Sequence, residues 1–199
     1  MRIGISADKG GVGKTTTAVH LGSYLAKDGR TLVIDSDTNE SAIDWAAGGK
    51  FKFDVLTDQN ATGKVAAYQH VLLDTEARPV TEDLKSLARR VDVMLLLSRP
   101  SATDLRVLLK TYAKLAAMKN VRVLLTQVPP APSRSEEDAR ELLREAGVPV
   151  CTASIRRSAW FEHASLDNTT TDQMRDVRAS IAWSDYETLG DELRAWTKL

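Results

Sequence analysis

Lys9-Gly10-Gly11-Val12-Gly13-Lys14-Thr15-Thr16 is the stretch on which the fold of this 199-residue chain turns. It lies between an apolar run over 2–7 and a helical pattern over 14–28, whose Ala18, Leu21 and Leu25 share one face. A phosphate-binding loop requires that strand–loop–helix context. Three glycines permit backbone conformations that turn successive N–H groups inward, and the helix N-terminus adds the positive end of its dipole. Lys14 brings a point charge to the outer phosphates, and the Thr15 hydroxyl suits Mg²⁺ ligation. A bare glycine-rich turn is the bland alternative, but such a turn has no need of Lys-Thr at its end. A dinucleotide fingerprint starting at Gly11 fails, because Thr16 occupies its third glycine position.

Working outward, short β-rich runs alternate with helical patterns. Strands are predicted over 31–35, 51–56, 71–74, 91–98, 121–128 and 148–152. Helices are predicted over 41–47, 81–90, 103–118, 135–146 (opened by Ser135-x-x-Asp138) and 183–198. Continuous apolar strands imply a sheet buried on both faces, and intervening helices imply parallel βαβ units. The expected fold is α/β: a doubly wound, mostly parallel sheet with helices on both faces, residues 1–199 forming one domain. Asp35 and Asp37 follow the second strand, and Asp74 ends a buried one. In such a sheet these carboxylates share an edge with the phosphate loop, where ligands bind. Taken singly, each aspartate is equally well read as a helix cap or turn residue.

A strict phosphate-loop pattern would place glycine at position 8. This chain has Asp8 there, followed by the lysine Lys9. With Lys9 at the front of the loop, the sequence resembles the deviant Walker A family of ParA and MinD ATPases, a branch of the P-loop NTPases. Asp35 to Leu56, with Trp45, Gly48-Gly49 and Phe53-Asp54-Val55, is similar to the short plasmid-partition ParA proteins. The resemblance implies ATP and Mg²⁺ as ligands and an ATP-dependent homodimer. Gly10, Gly11, Val12, Gly13, Lys14, Thr15 and Thr16 would cradle phosphates. Lys9 would reach the nucleotide of the other subunit. Asp37 would orient the attacking water near the ion, and Asp74 would hold Mg²⁺ through water, as a Walker B carboxylate does. Phosphoryl transfer requires mainly positioning and charge stabilisation, so this set suffices. Thr38-Asn39 stand where family members commonly carry Pro-Gln. Adenine recognition falls to the loops 127–130 and 155–158, with Gln127 as a candidate for the base edge. Asp8, a carboxylate beside a triphosphate, costs affinity unless it turns away or pairs with a cation.

The function so implied is a partition ATPase that binds DNA non-specifically and segregates plasmid or chromosomal DNA. A centromere-binding or adaptor protein would stimulate its hydrolysis. The alternatives are a related ATPase that positions another cargo, such as an organelle, division or flagellar machinery, and a nucleotide switch that barely hydrolyses.

Composition narrows the choice. Lys plus Arg and Asp plus Glu both number 27, which argues against nucleic acid until the distribution is read. Residues 78–144 carry 13 basic and 8 acidic side chains, whereas the flanking segments are acidic. Arg106, Lys110 and Lys114 recur every four residues on one predicted helix face, with Lys85, Arg89 and Arg90 on the preceding helix. Such a stripe suits non-specific phosphate contacts, as does Arg156-Arg157. An ordinary solvated face is the competing reading. The tail has Leu189, Leu193, Trp196 and Leu199 at helical spacing. Its other face is acidic (Asp185, Glu187, Asp191, Glu192), which is wrong for anionic lipid. No membrane partner is expected, and no signal peptide, so the predicted location is cytoplasmic and nucleoid-associated. One cysteine, Cys151, excludes a disulfide framework and the iron–sulfur relatives of the superfamily. His20, His70 and His163 lack metal-ligand spacing, and His20 is expected to pack or lie exposed.

Overall fold

The computed structural model describes residues 1–77 and 80–197. Leu199 of the expected tail pattern lies outside them. Seven strands form one sheet: β1 (Arg2–Ala7), β2 (Thr31–Ser36), β3 (Asp54–Thr57), β4 (His70–Ala77), β5 (Val93–Ser98), β6 (Val121–Val128) and β7 (Val150–Arg156). Their order is β3-β2-β4-β1-β5-β6-β7. Every ladder is parallel, in keeping with the expected doubly wound parallel sheet.

Side-chain alternation on the strands builds a core on each face of the sheet, with a smaller cluster of Leu32, Ile34, Ala61 and Val71. Val93, Leu95 and Leu97 of β5 pack with Ile3, Ile5, Val33 and Leu72 under α1 (Lys14–Leu25) and α8 (Val177–Thr197). Met94 and Leu96 face the other way. They meet α4 (Thr81–Ala88), α5 (Ala102–Leu115) and α6 (Ser135–Glu145) through Leu84, Leu105, Leu108, Leu115 and Leu143. A strand buried on both faces must be apolar at successive positions, which explains the unbroken runs. Each fully buried Leu or Ile contributes about 1.5–3 kcal/mol relative to exposure.

Chain direction reverses its winding at β1, which has β4 on one side and β5 on the other. The crevice at the carboxyl ends of β1 and its neighbours is therefore where a ligand site forms in this architecture.

Several boundaries differ from the sequence reading. The short helices α2 (Ser41–Ala46), α3 (Asp58–Ala61) and α7 (Ala159–Leu166) complete the set; α3 is a single turn, and α7 has apolar residues all round, so neither shows a one-face 3.6-residue stripe. The strand expected over 51–56 begins only at Asp54, because Phe51 and Phe53 stack on each other, 4.6 Å apart, and pack against the core as loop residues. The Ser135-x-x-Asp138 start makes no capping box: the Ser135 hydroxyl meets Ser133, and Arg134 is the cap residue.

Helix α8 begins six residues before the expected 183, because Asp176 accepts a bond from the backbone N–H of Arg178 and starts it earlier. Its acidic residues are not a solvated face. Glu192 accepts the backbone N–H groups of Thr152 and Ala153, at 2.7 and 2.8 Å, while Asp185 takes that of Arg156 at 2.9 Å. Strand β7 is an edge strand, and these carboxylates satisfy donors that an edge leaves open. Asp191 accepts the Tyr24 hydroxyl, and Glu187 pairs with Lys27.

Candidate functional site

The loop between β1 and α1 sits in the crevice. Gly11 (φ +69°) and Gly13 (φ +92°) adopt left-handed backbone that other residues resist. The Gly11 and Val12 carbonyls are pulled away by the Gln127 amide (2.5 Å) and the Thr126 hydroxyl (2.8 Å). Among the described residues, none of the backbone N–H groups from Gly10 to Thr16 donates to a protein acceptor. A row of free amides at a helix N-terminus is an anion cradle.

Lys14 is buried at the back of this cradle, 7% exposed. The Thr15 hydroxyl donates to Asp74 Oδ2 at 2.7 Å, which joins the loop to the end of β4. Burial pushes the Asp74 carboxyl up to about 7. The Thr15 bond and Lys14 oppose that rise, and the charges of Asp35 and Asp37 add to it. Asp74 Oδ1 is buried with no partner among the described residues. A buried carboxylate with one unpaired oxygen beside a hydroxyl is suited to a hydrated cation, whose charge would lower its pKa. No cluster of three or more His, Cys, Asp or Glu side chains able to hold a metal occurs among the described residues. A divalent ion here would draw on Thr15, water near Asp74 and ligand oxygens.

Asp35 is buried. Its Oδ2 accepts the N–H groups of Ala42 and Ile43 at 2.8 and 3.1 Å, and its Oδ1 that of Asp37 at 3.1 Å. It therefore braces the loop leading into α2. Asp37 borders the phosphate cavity and holds Asn39 through the backbone N–H (3.0 Å) and side-chain amide (2.8 Å). The two residues that replace the family's Pro-Gln thus form a turn organised by Asp37 itself.

The front of the loop has different attachments. Lys9 Nζ pairs with Asp104 on the first turn of α5, and Arg99 Nε binds the other oxygen of the same carboxylate at 2.6 Å. Burial tends to raise the Asp104 carboxyl. The bonds from Arg99 and Lys9 outweigh it and hold the group below the ordinary aspartate value. Asp8 turns away from the cavity and accepts the Thr111 hydroxyl at 2.6 Å. Sequence reasoning missed Asp104, Arg99 and Thr111. Ser101-x-x-Asp104 is visible as a helix start, and the Ser101 hydroxyl does accept the Asp104 N–H at 3.3 Å, but that pattern gives no hint of Lys9.

Two adjoining cavities open on the loop. One, of about 450 Å³, is bordered by Gly10, Gly11, Gly13 to Thr16, Asp37 and Asn39. The other, of about 350 Å³, is bordered by Val12, Gln127, Ile155 to Ser158 and Phe161, the loops expected to meet a base. Gln127, at φ +50°, donates one amide N–H to the Gly11 carbonyl and keeps its second N–H and its carbonyl oxygen at the border of both cavities. A larger hollow of about 690 Å³ lies at the other end of the strands. There Arg194 pairs with Asp28 at 2.5 Å, and Arg122 lies on the Trp196 ring.

Behind the loop, His20 is fully buried among Trp45, Phe161 and Tyr186. Burial lowers its pKa to about 4. It bonds the Thr16 carbonyl and the Thr171 N–H, so it packs, as expected.

On α5, Arg106, Lys110 and Lys114 are exposed on the side away from the core, with Arg89 and Arg90 exposed near the end of α4. Arg156 stays exposed but is paired: Asp185 accepts from its guanidinium at 2.6 and 2.8 Å, which offsets its charge locally. Arg157 remains exposed and borders the base-side cavity. No helix among the described residues is long and apolar enough to cross a membrane.

Residues 3–171 match the family described as the CobQ/CobB/MinD/ParA nucleotide binding domain. The chain is 36% identical over 200 residues to a "Maintenance of carboxysome distribution protein A" of Gloeobacter kilaueensis, covering 96% of this chain and 93% of that protein. It is 31% identical over 109 residues to a "Protein ParA" of Rhizobium radiobacter, covering 50% of this chain and 49% of the other. The fold matches a Cyanothece McdA variant solved in complex with ATP, with a TM-score of 0.76, 13% identity and coverage of 97% and 96% of the two chains.

Proposed function

This chain belongs to the CobQ/CobB/MinD/ParA nucleotide-binding family, and from that premise we propose that it is an ATP-hydrolysing positioning protein. Its proposed cargo is a protein-bound compartment of the carboxysome type. The observation that carries the cargo is near full-length similarity to a carboxysome distribution protein, against a half-length match to a ParA. Plasmid or chromosome segregation, the first expectation from sequence, becomes the second reading.

In this proposal Lys14 and the free loop amides bind the phosphates of ATP. Thr15 and, through water, Asp74 hold Mg²⁺, which supplies charge neutralisation for phosphoryl transfer. Asp37 orients the attacking water from its turn with Asn39. Lys9 leaves Asp104 to contact the nucleotide of a second copy, forming the ATP-dependent homodimer. Arg106, Lys110 and Lys114, doubled in that dimer, give weak non-specific DNA binding, and a partner protein stimulates turnover. The location is cytoplasmic.

Two measurements test the reading. Steady-state ATP turnover, with and without DNA, should be slow but measurable and should fall at least tenfold in Asp37→Ala, while fluorescent ATP still binds. Unchanged turnover in that variant removes Asp37 from catalysis. In a gene-deletion strain with labelled shell protein and a labelled plasmid, shell foci should cluster while the plasmid is retained. Plasmid loss with evenly spaced foci would overturn the cargo assignment.

A further inference from the structure

Asp8 is the least expected residue of the phosphate loop. It follows β1 directly and precedes Lys9, yet it borders neither cavity of the cleft. What keeps it out is one bond, from the Thr111 hydroxyl at 2.6 Å. Thr111 is only 9% exposed and lies on the inner face of α5, two turns beyond Asp104. A buried helical threonine ordinarily returns its hydroxyl to the carbonyl one turn back; here the proton is directed to a carboxylate from another element.

We propose that Thr111 is a positioning residue of the nucleotide site: it anchors the Asp8 carboxylate on α5 and so keeps a negative charge away from the phosphates. This rests on the ATP reading above. Thr111 touches no ligand and acts only through Asp8. Without its hydroxyl, the carboxylate is left half-buried with no donor and gains by turning toward the cationic cradle of Lys14 and the free amides. There it competes with phosphate for the same groups. The penalty is electrostatic. It should therefore be larger for a triphosphate than for a diphosphate, and should shrink as salt rises.

The test is equilibrium binding of fluorescent, non-hydrolysable ATP and of fluorescent ADP, at low and high salt. Thr111→Val should bind the ATP analogue roughly tenfold more weakly, the order expected of one added negative charge in a partly screened site. The loss should be smaller for ADP and smaller at high salt. Asp8→Asn in the same chain should restore affinity to within about twofold, because no charge then remains to be misplaced. Thr111→Ala, which suits a helix, gives the same readout should the valine variant fail to fold. Thr111 variants that bind ATP as tightly as the wild type overturn the inference. So does a loss that Asp8→Asn does not repair, which would make the role one of packing alone. A wild-type chain that binds no ATP refutes the nucleotide reading itself, a separate outcome.

Discussion

The rear of the phosphate loop hangs on β4, through the Thr15–Asp74 bond, whereas its front is tied to α5, through Lys9–Asp104 and Asp8–Thr111. The rear attachment joins the first turn of α1 to the end of β4, the strand paired in parallel with β1, so the sheet fixes its position. It needs no rearrangement to receive phosphate. The front attachment is to a helix, and in the proposed dimer Lys9 must exchange its carboxylate for phosphate. One end of the loop is preformed, and the other has to change partners.

Lysine removal at the two ends should give different failures. Lys14→Ala should weaken ATP binding by roughly 100-fold, since charge-assisted bonds contribute about 1.5–3 kcal/mol each and the site is buried. Lys9→Ala should leave monomer binding within a few fold, yet abolish the ATP-dependent shift in elution volume. Equal loss of binding in both variants would break the distinction between the ends.

A charge reversal of intermediate effect asks whether the two faces of α5 act separately. Replacing Arg106, Lys110 and Lys114 with Glu should cut salt-sensitive DNA binding at least tenfold and leave nucleotide affinity unchanged, as measured by fluorescence anisotropy. Parallel loss of ATP affinity would mean that the outer face is felt at the loop.

Asp104→Asn should produce the smallest change. It keeps the shape of the side chain but weakens its hold on Lys9, so the dimer should form at roughly threefold to tenfold lower ATP. A higher ATP requirement would show that Asp104 presents Lys9 to the partner and does not restrain it.

How much was legible follows the same division. The loop, its helix and the three strand-end aspartates could be read because each sits at a fixed offset from a strand or glycine pattern. Asp35 reads from sequence as a strand-end carboxylate, and its bonds to Ala42 and Ile43 make it the brace of its loop. Asp104 and Thr111 lie more than ninety residues from the groups they hold, with no pattern linking the pairs. The partner of Arg156, Asp185, was equally illegible, because it lies 29 residues away with no pattern linking the two. Helix α7 gives no signal because Ala159, Trp160, Phe161, Ala164 and Leu166 spread around the helix instead of forming one apolar stripe.

Sequence by itself determined the sheet's character and the loop's chemistry. Unbroken apolar strands demand burial on both faces, and Gly-Val-Gly-Lys-Thr at a helix start demands an anion. Tertiary structure alone decided which charges remain available. Lys9, Asp8, Gln127, Arg156 and the acidic face of α8 all carry polar groups that the sequence shows and the fold occupies. Hydrogen bonds and ion pairs act over a few ångströms in space regardless of separation along the chain. Their partners are therefore fixed only when the strands take their order and the helices close over them.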